Sequence, residues 1–331
     1  METKRIAMPA GFFSIAVGSL ALANAWRVGV RIWHLPEAVA EGLTLAALAV
    51  WLVLVLAYAH KWLARREEAL AELRHPVQSA FVSLGTLSSL LAAMALKPYA
   101  PVFATGLVAV VLAGQLALGV YLYGRSWMGG LKPELITPAL YLPAVGQNFV
   151  AATASAVFGW PQLGALFFGA GLLSWLAIES VILKRQAGPE ILSEALRPTL
   201  GIQLAPPVVG GVSYLALTSG TPDLFAQLLF GYGLYQALLL ARMFPWIARQ
   251  GFVPGLWGFS FGVAALPTVA MRLVERGLDG PAAWLAPPLF IAANLIIGTL
   301  AVRTLGQLFS GKLLPRQAMA ATAPQAATQN A

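Results

Sequence analysis

Ten long apolar runs dominate the sequence and leave few folds open to it. They lie at residues 9–30, 36–61, 76–96, 99–124, 137–159, 161–183, 198–218, 223–247, 255–275 and 283–309. A helix that crosses a bilayer needs about 20 mainly apolar residues, and each run is long enough. Only helices and closed barrels satisfy their backbone polar groups in lipid, so the runs predict an all-α integral membrane protein with ten transmembrane helices. The fifth run, which contains Pro138, Pro143 and Asn148, fits this description least well.

The overall composition indicates the same environment. Hydrophobic residues make up 59% of the chain and charged residues 10%, with a mean hydropathy of +0.75. A soluble domain usually carries about 25% charged residues. A soluble protein of this length could not hide so much apolar surface in one core. Lipid must therefore solvate much of the surface.

The residue types present argue against catalysis. The sequence has no cysteine, which rules out disulfides, thiolate metal sites and cysteine nucleophiles. The three histidines, His34, His60 and His75, lie near the ends of runs and not at metal-ligand spacing. No HExxH, GxSxG or phosphate-binding glycine loop occurs. We therefore predict no enzyme activity, no metal site and no cofactor.

The basic residues predict the orientation in the membrane. The net charge is +8, but Lys and Arg lie in short loops between runs, which is typical of cytoplasmic loops and not of nucleic-acid binding. Ten spans place 16 basic residues on the side of the termini and 5 on the other side, namely Arg27, Arg31, Lys97, Arg272 and Arg276. This bias predicts both termini in the cytoplasm and a location in a bacterial-type inner (plasma) membrane. We expect one transmembrane domain over 1–310 and a disordered cytoplasmic tail over 311–331.

Odd-numbered and even-numbered runs differ in composition. The odd runs mix Gly, Pro, Ser and amide residues into apolar sequence, whereas most even runs are largely Leu, Ala, Val, Ile and aromatic residues. Polar or kinked backbone at membrane depth is tolerated where it faces protein or a water-filled cavity. We therefore expect five helical hairpins, with the odd helices forming an inner pore ring and the even helices an outer ring. Close helix packing explains any single Gly or Ser better, so the ring hypothesis depends on the repetition.

This arrangement singles out particular side chains. The candidates for lining the pore are Ser14, Ser83, Asn148, Gln203, Ser260 and Gly262. Pro143, Pro206 and Pro267 lie inside odd runs, where each removes a backbone hydrogen bond and is expected to kink its helix. Kinks that serve helix packing alone are the alternative.

The acidic residues indicate which ions such a pore would pass. No carboxylate lies in the middle of an odd run, since Glu72, Glu194 and Glu275 lie at or beyond run ends. Cation pores commonly carry Asp or Glu rings, so this pattern favours small inorganic or organic anions. The one deep carboxylate, Glu179 on an even run, needs a partner, and Arg242 is the candidate for a buried ion pair.

Seven stretches of the chain carry a resemblance to a known family. They are PAGFFSIAVGSLALA, LRHPVQSAFVSL, YLPAVGQNF, LFFGAGLLSWLAIESVIL, GIQLAPPVV, LFGYGLYQALLLARMFPW and LWGFSFGVAAL. From about Pro9 to Lys312 the chain is similar to the tellurite-resistance/dicarboxylate transporter family, whose distant members include the plant slow anion channels. The resemblance implies ten helices in five hairpins, a homotrimer with one pore per subunit, and an anion channel. It also implies that a phenylalanine ring closes the pore midway, at Phe261 in the FSFG stretch.

Two other functions stay open from the sequence. Some members of this family move dicarboxylates, so a secondary carrier or exporter of tellurite or C4-dicarboxylates, driven by protons or membrane potential, is the alternative. A membrane scaffold or sensor without flux is the third. A phenylalanine at membrane depth most often serves packing, and the family resemblance is what favours a gate at Phe261.

Overall fold

The computed structural model describes residues 7–129 and 132–314, and within them every regular element is helical. The α-helices are α1 (Phe13–Trp33), α2 (Glu37–Ala64), α3 (Arg66–Arg74), α4 (Gln78–Leu96), α5 (Pro101–Trp127), α6 (Gln147–Val157), α7 (Pro161–Gln186), α8 (Ala205–Leu217), α9 (Leu224–Ile247), α10 (Ser260–Glu275) and α11 (Pro281–Phe309). Short 3-10 segments precede α1, α8 and α10 and extend them to Ala10, Arg197 and Pro254. The predicted tail lies outside the described residues from position 315 onward.

Nine helical segments in the described part of the chain are long and apolar enough to cross a membrane. They match nine of the ten predicted runs, with bounds shifted by only a few residues. The fifth run is not one regular helix. It consists of a 3-10 turn at Pro138–Leu140, a π-helical segment at Leu142–Gly146 and the short helix α6.

Proline explains the irregular backbone of this fifth segment. Pro138 opens the 3-10 turn and Pro143 lies in the π-helical segment, and neither residue has an N–H to donate to the preceding turn. The Tyr141 and Val145 side chains in this segment are nevertheless buried. The irregular backbone of this segment is therefore packed against protein, which is where such backbone is tolerated in a membrane protein.

Burial alternates along the chain. In the most apolar window of each span, the segments Ala10–Trp33, Gln78–Leu96, Arg197–Leu217 and Pro254–Glu275 are 61%, 50%, 78% and 72% buried. The five helices α2, α5, α7, α9 and α11 are only 22–33% buried. The fifth run is also mostly buried. The compositional difference between odd and even runs thus corresponds to a difference in burial.

The five buried segments contact one another in a closed circuit. Helix α1 packs against α4, α4 against α6, α6 against α8, α8 against α10, and α10 back against α1. Each buried segment also packs against the exposed helix that follows it in sequence, for example α1 against α2 and α10 against α11. Large apolar side chains on those helices, such as Val53, Val102 and Leu238, face outward, which is the surface that lipid requires.

Two local features lie outside the nine candidate spans. The charged sequence REEALAELR forms α3, whose Ala69 and Glu72 side chains are buried. Asp223 caps α9 by accepting a hydrogen bond from the Ala226 N–H at 3.0 Å. A hydrogen bond from the Tyr214 hydroxyl, together with this backbone bond, lowers the pKa of the Asp223 carboxyl below its ordinary value.

Candidate functional site

Two cavities lie inside the circuit of buried segments and meet at one pair of side chains. The first has a volume of about 240 Å³ and lies toward the N-terminal end of α1. The second has a volume of about 520 Å³ and lies toward the C-terminal end of the same helix. Phe261 and Val209 line both cavities. We call this pair the neck.

All five buried segments contribute to both cavities. On α10 and the turn before it, the lining residues Gly258, Phe261, Ala265, Thr268 and Arg272 recur every three or four positions. That spacing places them on one face of a helix. One continuous face of α10 therefore runs from the first cavity, past the neck, into the second.

The walls beside the neck are apolar. Val17 of α1, Leu87 of α4 and Phe149 of α6 line the first cavity, and all three are buried. Val209 is 4% exposed and Phe261 is half-buried, so the five residues named here present apolar side chains.

Close contacts fix the beginning of α10, which carries Phe261. The Ser260 hydroxyl donates to the Trp257 carbonyl at 2.7 Å. A Cβ atom on Gly18 would lie 2.1 Å from Ser260 Oγ, so α1 approaches this turn only because residue 18 is glycine. A Cβ on Gly262 would lie 2.7 Å from Leu204 Cβ, and the same argument holds there. The backbone on either side of Phe261 is therefore held from two sides.

A carboxylate lies on the wall of the first cavity, contrary to the expectation of a path without carboxylates. Glu72 of α3 lines this cavity and accepts a hydrogen bond from the Lys61 ammonium at 2.8 Å. The Tyr58 hydroxyl and the Ala10 N–H also donate to it, at 3.1 and 2.8 Å. The sequence pattern missed this residue because it comes from a short helix between two runs. Its charge is balanced by Lys61.

The second cavity is lined by charged residues of both signs. Arg27, Arg31 and Arg272 contribute three cations, and Glu37 and Glu41 contribute two carboxylates. Arg27 pairs with Glu41 at 3.4 Å. Arg31 pairs with Glu275 at 2.6 Å, and Glu275 is not a lining residue.

The structure places the predicted pore residues unevenly. Phe261, Ser14 and Pro206 line the first cavity. Five predicted pore residues in the described part of the chain line neither of these two cavities: Ser83, Asn148, Gln203, Ser260 and Gly262. Their polar groups are used within the fold. The Ser83 hydroxyl donates to the Ala80 carbonyl, and the Asn148 amide donates to the Ala144 carbonyl at 2.6 Å.

The three prolines predicted to kink helices occupy different positions. Pro143 lies in the π-helical segment. Pro206 follows the point where the 3-10 segment Arg197–Leu204 passes into α8. Pro267 lies inside α10 and is buried. Two of the three therefore mark positions where the α-helical hydrogen-bond pattern changes.

The ion pair predicted between Glu179 and Arg242 is not formed. Glu179 accepts hydrogen bonds from neutral donors on neighbouring segments, and Arg242 is exposed at the surface. The donors are the hydroxyls of Tyr141 and Tyr232, the indole of Trp175, and the amides of Gln203 and Gln236. Five neutral donors satisfy this half-buried carboxylate without a cation, and this explains why the expected partner was wrong.

Metal-ligating side chains are scattered in this fold. Within residues 7–129 and 132–314, no group of three or more His, Asp or Glu side chains is placed to hold a metal ion. The groups that line the cavities are apolar side chains at the neck and, in the second cavity, arginines together with carboxylates.

These features define a multi-pass helical membrane protein with two cavities among its buried segments. The sequence profile of the voltage-dependent anion channel family matches residues 7–305, and the chain belongs to that family. The family comprises membrane channels and transporters, not enzymes.

Relatives with known names agree with this assignment. The tellurite resistance protein TehA homolog of Haemophilus influenzae is 35% identical over 311 residues, which is 94% of each chain. The S-type anion channel SLAH3 of Arabidopsis thaliana is 23% identical over 282 residues, covering 81% of this chain and 44% of the plant protein. An uncharacterized transporter of Methanocaldococcus jannaschii is 24% identical over 254 residues, covering 69% of this chain and 72% of the archaeal one.

Proposed function

We propose that this chain is a passive channel for small anions, with the two cavities as its pore and Phe261 as its gate. In this proposal the irregular fifth segment is a tenth span, so that five hairpins build an inner ring and an outer ring. A broken helix is compatible with that role because its backbone is buried in protein. Membership of the family supports anions as the transported class.

The single observation that carries the proposal is the sharing of Phe261 and Val209 between the two cavities. A ring that borders both chambers separates them, and its removal joins them into one path. Because the neighbouring side chains are also apolar, the closed neck opposes ion entry by dehydration. Opening then requires the Phe261 ring to move or to be removed.

The charges along the path favour anions over cations. The Glu72 carboxylate in the first cavity is neutralised by Lys61, and the Glu41 carboxylate in the second is paired with Arg27. Glu37 is exposed, so water and salt screen its charge. Arg272 remains as a cation on the wall, which favours anions electrostatically.

Planar-bilayer recording on purified Phe261→Ala protein tests the gate. We expect large currents that rise linearly with voltage, against small currents for the wild type. Phe81→Ala is the matched control, because Phe81 lines only the first cavity and its truncation leaves the neck closed. Equal, small currents for all three proteins at equal reconstitution would contradict the gate.

The same recording separates a channel from a carrier. A secondary carrier or exporter of tellurite or C4-dicarboxylates would give small, saturable flux coupled to protons or membrane potential, even without the Phe261 ring. The name of the Haemophilus influenzae relative refers to tellurite resistance, and we propose the same role for this chain. Expression of this chain should then raise the tellurite concentration that a sensitive bacterium tolerates. A host that gains no tolerance would remove tellurite from the proposed function and leave the channel intact.

Orientation and assembly are also part of the proposal. We infer that both termini face the cytoplasm, because ten spans place most basic residues on that side. The resemblance to the family implies a homotrimer with one pore in each subunit. Protease accessibility of a C-terminal tag in inverted vesicles tests the first inference, and the mass of the detergent-solubilised protein tests the second.

A further inference from the structure

The Trp257 side chain connects the wall of the first cavity with helix α11. It lines that cavity, as Phe261 does four positions later, and it is only 1% exposed. Its indole Nε1–H donates a hydrogen bond to the Thr304 hydroxyl of α11 at 2.8 Å. A buried indole N–H usually has such a partner, because an unpaired donor away from water is costly. The beginning of α10 is therefore tied to α11 by this bond.

Thr304 is the one polar residue on the buried face of α11. The buried residues of this helix recur every three or four positions and are Ala282, Ala286, Phe290, Ala293, Ile297, Leu300 and Thr304. The neighbouring Val302 and Leu305 are 69% and 49% exposed, as lipid-facing side chains are. The Thr304 hydroxyl donates to the Leu300 carbonyl at 2.7 Å, which leaves its oxygen able to accept from Trp257. Thr304 therefore contributes an acceptor where the rest of the face contributes only packing.

Trp257 is also coupled to the turn that carries Phe261. The Ser260 hydroxyl donates to the Trp257 carbonyl at 2.7 Å. A Cβ atom on Gly18 would lie 3.2 Å from the indole Cε3, so the ring is packed closely against α1. The 3-10 segment Pro254–Phe259 passes into α10 at this point, and such a change of helix type often marks a hinge. A shift of the indole would therefore move the turn that carries Phe261.

We propose that Trp257 and Thr304 are gate-positioning residues, whose hydrogen bond holds the beginning of α10 so that the Phe261 ring stays in the neck. The inference rests on the proposed channel and names the residues that keep its gate closed. Without the Thr304 acceptor, the buried indole N–H has no partner in the closed arrangement, which costs free energy there. An indole turned into the first cavity can bond to water instead, so the closed arrangement loses stability relative to an open one.

Planar-bilayer recording on purified Thr304→Val protein tests this pair. Valine keeps the shape of threonine but removes the acceptor. We expect a mean current about tenfold above that of the wild type at equal reconstitution, because one hydrogen bond favours the closed state by about that factor. The increase should come from more frequent openings, with an unchanged current in each opening. Thr304→Ser keeps the hydroxyl and should restore the wild-type current.

The same substitution in the Phe261→Ala protein separates positioning from a general structural effect. There Thr304→Val should leave the current unchanged, because the ring that the pair positions is absent. Full current from this double variant also shows that the valine is compatible with folding and insertion. A purely structural role would instead alter the current in both backgrounds.

Thr299→Val is the matched control on the same helix. The Thr299 hydroxyl donates to the Leu295 carbonyl at 2.7 Å, as Thr304 does to Leu300, but Thr299 is exposed and lies away from the indole of Trp257. Its substitution removes the same kind of bond within α11 and should leave the wild-type current in place.

The positioning pair and the channel can fail separately. A wild-type current from Thr304→Val, or an increase that persists in full without the Phe261 ring, would overturn the positioning role and leave the channel intact. A Phe261→Ala protein that stays silent would remove the channel itself, and the pair would then have no gate to hold.

Discussion

The Lys61 ammonium donates to the Glu72 carboxylate at 2.8 Å, and each side chain is only 5% exposed. Lys61 also donates to the Met8 carbonyl, and Glu72 accepts from the Ala10 N–H, so the pair ties the start of the chain to α2 and α3. A buried ion pair with several further hydrogen bonds is expensive to break from one side, because one charge is then left alone.

Lys61→Met should therefore destabilise the protein by about 3–5 kcal/mol, because the Glu72 carboxylate stays buried without its cation. Chemical denaturation in mild detergent, followed by tryptophan fluorescence, measures the loss. The double variant Lys61→Met with Glu72→Gln should recover much of the stability. A single variant as stable as the wild type would show that the pair is not buried in the membrane-embedded protein.

Substitutions of Glu179 and of Arg242 should change the free energy of unfolding independently of each other. Glu179→Ala leaves the donors of Tyr141, Trp175 and Gln203 without their acceptor, and we expect a loss of about 3 kcal/mol or more. Arg242→Ala should change stability by no more than about 0.5 kcal/mol, since the residue is exposed. In a double-mutant cycle the two changes should add; a coupling energy well above about 0.5 kcal/mol would restore the ion pair that the sequence suggested.

An aromatic ring at residue 209 should close the neck in place of the ring of Phe261. In the Phe261→Ala protein, Val209→Phe places a ring on the opposite partner of the neck and should return most of the current to the wild-type level. Val212→Phe is the control, because Val212 lies one turn farther along α8 and lines only the second cavity. Bilayer currents from equal amounts of correctly assembled protein provide the comparison. Equal currents with and without the Val209 ring would argue that the path runs elsewhere.

The sequence predicted the spans well because membrane depth fixes the length of an apolar run. The second run, 36–61, became Glu37–Ala64, and the fourth, 99–124, became Pro101–Trp127. The fifth run was the least regular in sequence and is the irregular segment in the structure. Its prolines already predicted that the backbone hydrogen bonds would be interrupted there.

The side-chain partners could not be predicted in the same way, because an apolar run does not fix the rotation of its helix. Val208 and Val209 are adjacent and chemically identical, yet only Val209 lines the cavities. Trp257 and Thr304 lie 47 positions apart in the sequence, and their hydrogen bond depends on how the beginning of α10 meets α11, which is a matter of tertiary packing.

The central claim is that removal of the Phe261 ring opens a path that anions, and not cations, follow. Ion-replacement recording on Phe261→Ala protein in asymmetric salt measures this most directly. We predict that the reversal potential moves toward the equilibrium potential of the anion when chloride is replaced on one side, and stays unchanged when sodium is replaced. A reversal potential that follows sodium, or a protein that stays silent although it is folded and inserted, would contradict the account.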